Sequence, residues 1–349
     1  MDQYNTKEDV VKLGIIDPEL KKFLEHNPAP ATDFDTLPVE QLRQVVSGIE
    51  QSTYESCPTF DTQESATHIP MRDGYQSEIR IVKPQNSSSG NPVVVLIFGG
   101  AFVMGSNIQT IGWARMIAFL YGATIVQLSY RLAPEHKFPF APNDVWDTIQ
   151  WLVANESAID ADLSRGFVIG GVSAGGNLSI VTAHHYVKEK LSPPITGVLA
   201  SVPVCISKET IPEKYKDLWV SREQNAHAPG NPGILGGYEV FYQQDFLSEG
   251  FSPFNSSVLF SDLPLPRTYV QVAGVDTLRD DGIVYAKALE DNGIEVKFDV
   301  YPGMPHGHFN LWPKLEQSIK CQEDTIWHVG WLLRREVSRE KVKEVVAML

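Results

Sequence analysis

Long apolar runs and basic runs are both missing from this chain. No stretch reaches about eighteen consecutive apolar residues, the length at which a membrane-spanning helix becomes the natural reading. The opening residues, MDQYNTKEDVVKLG, are charged and contain no apolar core of a secretory signal. Basic residues number 29 against 43 acidic ones, a formal net charge of −14. Nucleic acid and anionic membranes select for a basic face, so neither is expected as a partner. Cysteine is scarce: Cys57, Cys205 and Cys321 are far apart and odd in number. Reduced thiols in a cytoplasmic protein are therefore expected, not a disulfide framework. No His, Cys and acidic residues recur at metal-ligand spacing, and nothing indicates a cofactor. There is no internal repeat and no low-complexity tract.

What is present is an ordinary globular composition, 43% hydrophobic over 349 residues, enough for one large core. Strand-like and helix-period segments alternate. IPMRDGYQSEIRIVKP (69–84) alternates polar and apolar residues around Asp73-Gly74, which predicts an edge hairpin. PVVVLIFGG (92–100) and ATIVQLSYR (123–131) are solid β-branched runs, as parallel strands buried on both faces require. A helix follows from about 142 to 154, then strands in 166–171, 195–204, 268–274 and 295–303. Helices are expected after Ser173, over 280–293 and, as one long element, at the C-terminus. This order predicts an α/β fold with a mainly parallel central sheet flanked by helices. Residues 1–60 and 206–255 break the alternation. They are expected to form a helical cap over two stretches of α/β core, 61–205 and 256–349.

One serine stands out. VIGGVSAGGNLS (168–179) runs from an apolar strand through glycines into a helix, with Ser173 between Gly171 and Gly175. Ligands bind outside the carboxyl ends of strands in such sheets. A G-x-S-x-G corner there exposes the hydroxyl and sets the next amide, that of Ala174, at a helix N-terminus where it can receive an oxyanion. The plainer reading is a serine that caps a helix after a glycine turn.

A serine hydroxyl needs a base, and the base needs an orienting carboxylate. Asp276 lies just beyond the strand in VQVAGVDTLRDDG, and His306 just beyond the next in VYPGMPHGHFN. That is the chain order Ser, Asp, His of this fold. Asp280 and Asp281 are rivals for the carboxylate, with capping of the following helix as their plain role. His308 is a rival for the base.

The chain resembles the hormone-sensitive-lipase family of α/β-hydrolases, which includes many microbial carboxylesterases. DPELKKFLE resembles the family's N-terminal cap helix, FGGAFVMGS (98–106) its HGGGF-x-x-GS loop, and YRLAPEHKFPFAPND (130–144) its YRLAPE segment. GVSAGGNL (171–178), DTLRDDG (276–282) and GMPHGHF (303–309) are similar to GDSAGGNL, DPLRDEG and GxxHxF. The resemblance implies an α/β-hydrolase fold, a triad of Ser173, Asp276 and His306, and an oxyanion hole from the N–H groups of Gly100 and Ala101 with Ala174. Family members often form dimers, so a homodimer is the oligomeric expectation.

The chain departs from the family where Phe98 replaces the first His of HGGG and Val172 the Asp before the nucleophile. If these two side chains meet, their joint change avoids an unpaired buried polar group. Ala101 in place of the third glycine keeps its N–H but restricts φ. The expected function is hydrolysis of a carboxylic ester of a small or medium-sized apolar metabolite. Two alternatives are a biosynthetic enzyme performing acyl transfer, cyclisation or condensation, and a small-molecule receptor without turnover. Trp219, Tyr238, Phe241 and Tyr242 of the cap, with Phe102 and Met104, are the expected substrate wall. The alternative is that these aromatics pack only the cap's own core.

Overall fold

The computed structural model describes residues 3–27, 37–86, 90–228, 239–256, 258 and 260–349. Tyr238 lies outside them.

Among the described residues, eight strands form one sheet: β1 (Thr62–Pro70), β2 (Gln76–Pro84), β3 (Val93–Ile97), β4 (Thr124–Leu128), β5 (Phe167–Val172), β6 (Gly197–Ser201), β7 (Arg267–Ala273) and β8 (Val296–Tyr301). Their spatial order is β1-β2-β4-β3-β5-β6-β7-β8. β1 and β2 pair antiparallel through the expected turn, β2 joins β4 antiparallel, and every later pairing is parallel. The fold is thus the expected α/β-hydrolase arrangement, with the parallel strands in the middle.

The solid apolar runs follow from burial on both faces. Along β3, Val93, Val95 and Ile97 enter one core cluster with Ala141, Val145 and Leu178, while Val94 and Leu96 enter another with Ala114, Ile117 and Val329. Side chains alternate between faces, so a strand covered twice has no place for polar residues. The covering helices are α4 (Ile111–Tyr121), α5 (Phe140–Ala154), α6 (Ala174–Lys188), α7 (Arg279–Asp291) and α8 (Glu316–Leu332). The single long C-terminal helix expected from the sequence is two. Arg334 adopts φ +56° after α8, and the Ser338 hydroxyl caps a new helix over Arg339–Val346 by accepting from the Lys341 N–H.

The N-terminal region is helical, as its pattern suggested: α1 (Lys7–Lys12), α2 (Pro18–His26) and α3 (Val39–Ser56). The first starts with a capping box between Thr6 and Asp9, the second with Asp17 ahead of Pro18. The third reaches the loop after β3 through Arg43 and Glu50. Cys57, Cys205 and Cys321 are buried and unpaired. Among the described residues, no helix is long and apolar enough to cross a membrane.

Candidate active site

Ser173 sits between β5 and α6 with φ +56° and ψ −115°. A non-glycine residue holds that conformation at a cost of about 1–3 kcal/mol, so its surroundings must impose it. The flanking glycines explain how. A Cβ on Gly171 would lie 2.7 Å from the Ile97 oxygen, and one on Gly175 would lie 2.5 Å from the Phe98 oxygen. Strand end, serine and helix start pack backbone to backbone, which leaves the serine side chain on the outside of the corner.

His306 and Asp276 come to it from the loops after β8 and β7. The buried Asp276 carboxylate can only accept, so the His306 Nδ1–H donates to its Oδ2 at 2.7 Å. That choice leaves the Nε2 lone pair free to accept the Ser173 Oγ–H at 3.0 Å. The second Asp276 oxygen accepts the Leu278 N–H at 2.8 Å, so the carboxylate is fixed from two directions. His306 remains slightly exposed, while Ser173 is 5% and Asp276 0% exposed.

The rivals have other work. His308 is fully buried, its Nδ1 bonded to the Ser318 hydroxyl, and burial pushes its pKa down to about 3. Asp280 and Asp281 do not cap α7. Asp280 accepts the backbone N–H groups of Val220 and Ser221, and Asp281 those of Cys205 and Ile206. Both carboxylates therefore tie the 206–228 segment to the core. Asn225 in that segment donates to the Asp276 carbonyl at 2.9 Å, and the buried Arg279 joins Asp280 to the Gly274 carbonyl. Asn225 and Arg279 thus brace the Asp276 loop. Sequence reasoning missed these roles because Asn225 reaches the Asp276 loop from 51 residues upstream, and nothing in the pattern distinguishes Arg279 from an ordinary helix-start residue.

Facing the serine corner is the loop after β3. Gly100, Ala101 and Phe102 have φ of +132°, +52° and +62°. The alanine in the third glycine's place thus holds a left-handed backbone that glycine adopts more readily. A Cβ on Gly100 would collide with the Met104 backbone, so that position requires glycine. Within this loop the Gly100 carbonyl accepts from Val103 and Met104. Among the described residues, no backbone hydrogen bond of the turns and loops uses the N–H of Gly100, Ala101 or Ala174.

Phe98 and Val172 do not meet. Val172 keeps the strand alternation and enters the cluster with Val94 and Val168. The chain turns after Ile97, so Phe98 goes to the opposite cluster, stacked on Tyr130 with centroids 4.2 Å apart. Each apolar replacement is therefore absorbed by its own core, so the two do not compensate each other.

The aromatic residues also separate into two groups. Phe102 stacks on Tyr242 at 4.0 Å and 7°, Phe138 meets the Tyr242 ring edge-on, and Met104 and Phe241 pack in the same cluster. Trp219 packs elsewhere, with Ile206, Leu218 and Ile283, and its Nε1–H donates to Asp281. It thus seats the 206–228 segment against α7 and the adjoining sheet, where the plainer reading has it pack only a core of the cap's own. A cleft of ≈ 320 Å³ lined by Arg72, Trp146, His184 and Lys188 holds none of the Ser173, Asp276 and His306 side chains. Among the described residues, no three His, Cys, Asp or Glu side chains gather as metal ligands.

Comparison with known proteins agrees with this fold. A family model described as alpha/beta hydrolase fold matches residues 94–310. The versiconal hemiacetal acetate esterase of Dothistroma septosporum is 30% identical over 84% of this chain and 88% of its own. Carboxylesterase NlhH of Mycobacterium tuberculosis is 30% identical over 85% of this chain and 89% of its own. Among solved structures, a vibralactone cyclase superposes with a TM-score of 0.84 at 28% identity, covering 93% of this chain and 96% of its own. The chain belongs to the hormone-sensitive-lipase-like α/β-hydrolases and is a carboxylesterase-type hydrolase.

Proposed function

We propose that this hydrolase cleaves a carboxylic ester of a small or medium-sized apolar metabolite through an acyl-enzyme on Ser173. The hydrogen-bonded line Asp276–His306–Ser173, on a corner whose glycines force the serine outward, carries this reading. The Ser173 Oγ attacks the ester carbonyl while His306 takes its proton at Nε2. Asp276 holds the ring in the tautomer that can do so and stabilises the imidazolium. The negative charge on the carbonyl oxygen is received by the N–H groups of Gly100, Ala101 and Ala174. Donors of this kind contribute about 3–4 kcal/mol each when preorganised out of water. His306 then protonates the leaving alkoxide, and a water molecule activated by the same nitrogen releases the acid.

The acyl or alcohol group rests against Phe102, Met104, Phe241 and Tyr242. Rigid, closely stacked rings make a wall that suits short acyl chains or a flat alcohol better than long lipid tails. The deciding experiment is intact mass after treatment with a fluorophosphonate, on wild type and Ser173→Ala. A single adduct on the wild type that is absent from the variant is expected, followed by turnover on an ester panel graded by acyl length. A folded wild type that takes no adduct overturns the reading.

The likeness to a vibralactone cyclase favours one other use of the same site, intramolecular acyl transfer to a hydroxyl of the bound substrate. In H₂¹⁸O, hydrolysis labels the released acid, whereas cyclisation yields an unlabelled lactone.

A further inference from the structure

Gly99 immediately precedes the first proposed oxyanion donor, and a single side chain holds both of its backbone polar groups. The Gln109 Oε1 accepts the Gly99 N–H at 2.8 Å, and its Nε2 donates to the Gly99 carbonyl at 3.2 Å. That carbonyl and the Gly100 N–H are the two ends of one planar trans peptide, so they point in opposite directions. Whatever fixes the Gly99 oxygen therefore also aims the Gly100 N–H.

Gln109 is itself held. Its Nε2 donates to Glu50 Oε1 at 3.1 Å, and the other Glu50 oxygen accepts the Ser106 hydroxyl at 2.6 Å. Glu50 is only 6% exposed, and burial raises its pKa against the pull of those hydrogen bonds. A carboxylate this deep is tolerated only while its partners hold it, so the arrangement is stiff. Arg43, on the same N-terminal helix, donates to the Val103 carbonyl at 2.7 Å in the middle of the loop. The strained Ala101 and Phe102 backbone lies between these anchors.

We propose that Gln109, braced by Glu50, is a positioning residue that orients the Gly99–Gly100 peptide and thereby the oxyanion hole. This rests on the Ser173 reading above. It also assigns a task to the N-terminal helix that differs from covering substrate. The short motif around the loop could not reveal it, because Glu50 lies far upstream and Gln109 beyond the glycines.

The test uses the full chain with 4-nitrophenyl butyrate, a trifluoromethyl ketone and a fluorophosphonate. Gln109→Leu keeps the volume and removes both Gly99 contacts. Its kcat should fall about 10- to 50-fold, short of the 10²–10³ that complete loss of a donor brings. KM should stay within about threefold, because ground-state binding is untouched. Affinity for the ketone, whose adduct carries an oxyanion, and the rate of fluorophosphonate labelling should fall in parallel with kcat. Glu50→Gln, which keeps one acceptor oxygen, should show a smaller loss of the same kind, about 3- to 10-fold. It decides the matter if Gln109→Leu does not fold. A folded Gln109→Leu with kcat within about twofold of wild type overturns the proposal, as does a rise in KM alone. A wild type that labels at Ser173 separates either result from failure of the nucleophile assignment.

Discussion

Gly175→Ala tests how closely the two halves of the proposed oxyanion hole are packed. The added Cβ would lie 2.5 Å from the Phe98 oxygen and 2.6 Å from the Ile97 carbon, and closer still to the Ile97 oxygen. All three are backbone atoms of the strand end that begins the oxyanion loop, so no side chain can swing aside. Ordinary carbon contacts lie near 3.5 Å, so the start of α6 must retreat from the end of β3 by about 1 Å. That displacement separates the Ala174 N–H from those of Gly100 and Ala101. Misplacing catalytic groups by 1 Å can lose about 10²-fold in rate, and overpacking a close backbone contact destabilises by about 1–3 kcal/mol. The expected outcome is kcat down about 100-fold with a modest drop in thermal midpoint. Gly176→Ala is the comparison. Its Cβ would meet the Ser201 oxygen at 3.1 Å and Pro203 Cβ at 3.2 Å, contacts that a shift of a few tenths of an ångström relieves, so its effect on kcat should be much smaller. Steady-state kinetics with a chromogenic ester, alongside thermal unfolding, would measure both. A folded Gly175→Ala retaining kcat within about twofold would refute the reasoning.

Other expectations follow from the buried polar groups and the stacked rings. His184 and His308 are buried and held down to about pKa 3, so the folded state keeps both neutral where the unfolded chain, near 6.5, becomes protonated. The unfolded state then binds more protons, so stability falls as pH drops below about 6.5 towards 3, by at most about 1.4 kcal/mol per pH unit for each histidine. Urea unfolding of His184→Phe between pH 7 and 5 should show a shallower dependence, and an unchanged slope would count against it. Burial raises the Asp281 pKa while Arg222 opposes that rise across a 3.1 Å ion pair. Arg222→Met should therefore destabilise by about 2–3 kcal/mol near pH 8, since two backbone N–H groups and Trp219 still hold the carboxylate. The deficit should shrink as pH falls and Asp281 takes a proton, and a pH-independent deficit in urea titrations would contradict this. Tyr242→Leu breaks the stack on Phe102 at a cost of about 1 kcal/mol. It should shift the ratio of kcat/KM for longer against shorter acyl esters by about threefold or more, and an unchanged ratio would remove Tyr242 from the substrate wall.

The sequence disclosed what local chemistry controls. Strands covered on both faces need continuous apolar side chains, so β3 and β4 could be read directly, and the turn at Asp73-Gly74 announced the hairpin. Ser173, Asp276 and His306 were legible because each stands just past a strand end, and strand ends of a parallel sheet converge on one rim. Long-range braces left no such trace. Whether Asp281 caps its helix or holds Cys205 and Trp219 depends on a segment dozens of residues upstream, and an aspartate in a first turn looks the same in either role. The Phe98 and Val172 replacements show the same limit. Alternation would have put residue 98 on the face that Val172 occupies, but it applies only while the strand lasts. β3 ends at Ile97 because the chain must turn there into Gly99 and Gly100, and one residue of turn sends Phe98 across the sheet to Tyr130. The oxyanion loop thus decides the packing of its own first residue. Sequence changes at its start should therefore be weighed against Tyr130, Gln109 and Glu50, and not against the residue that precedes the nucleophile.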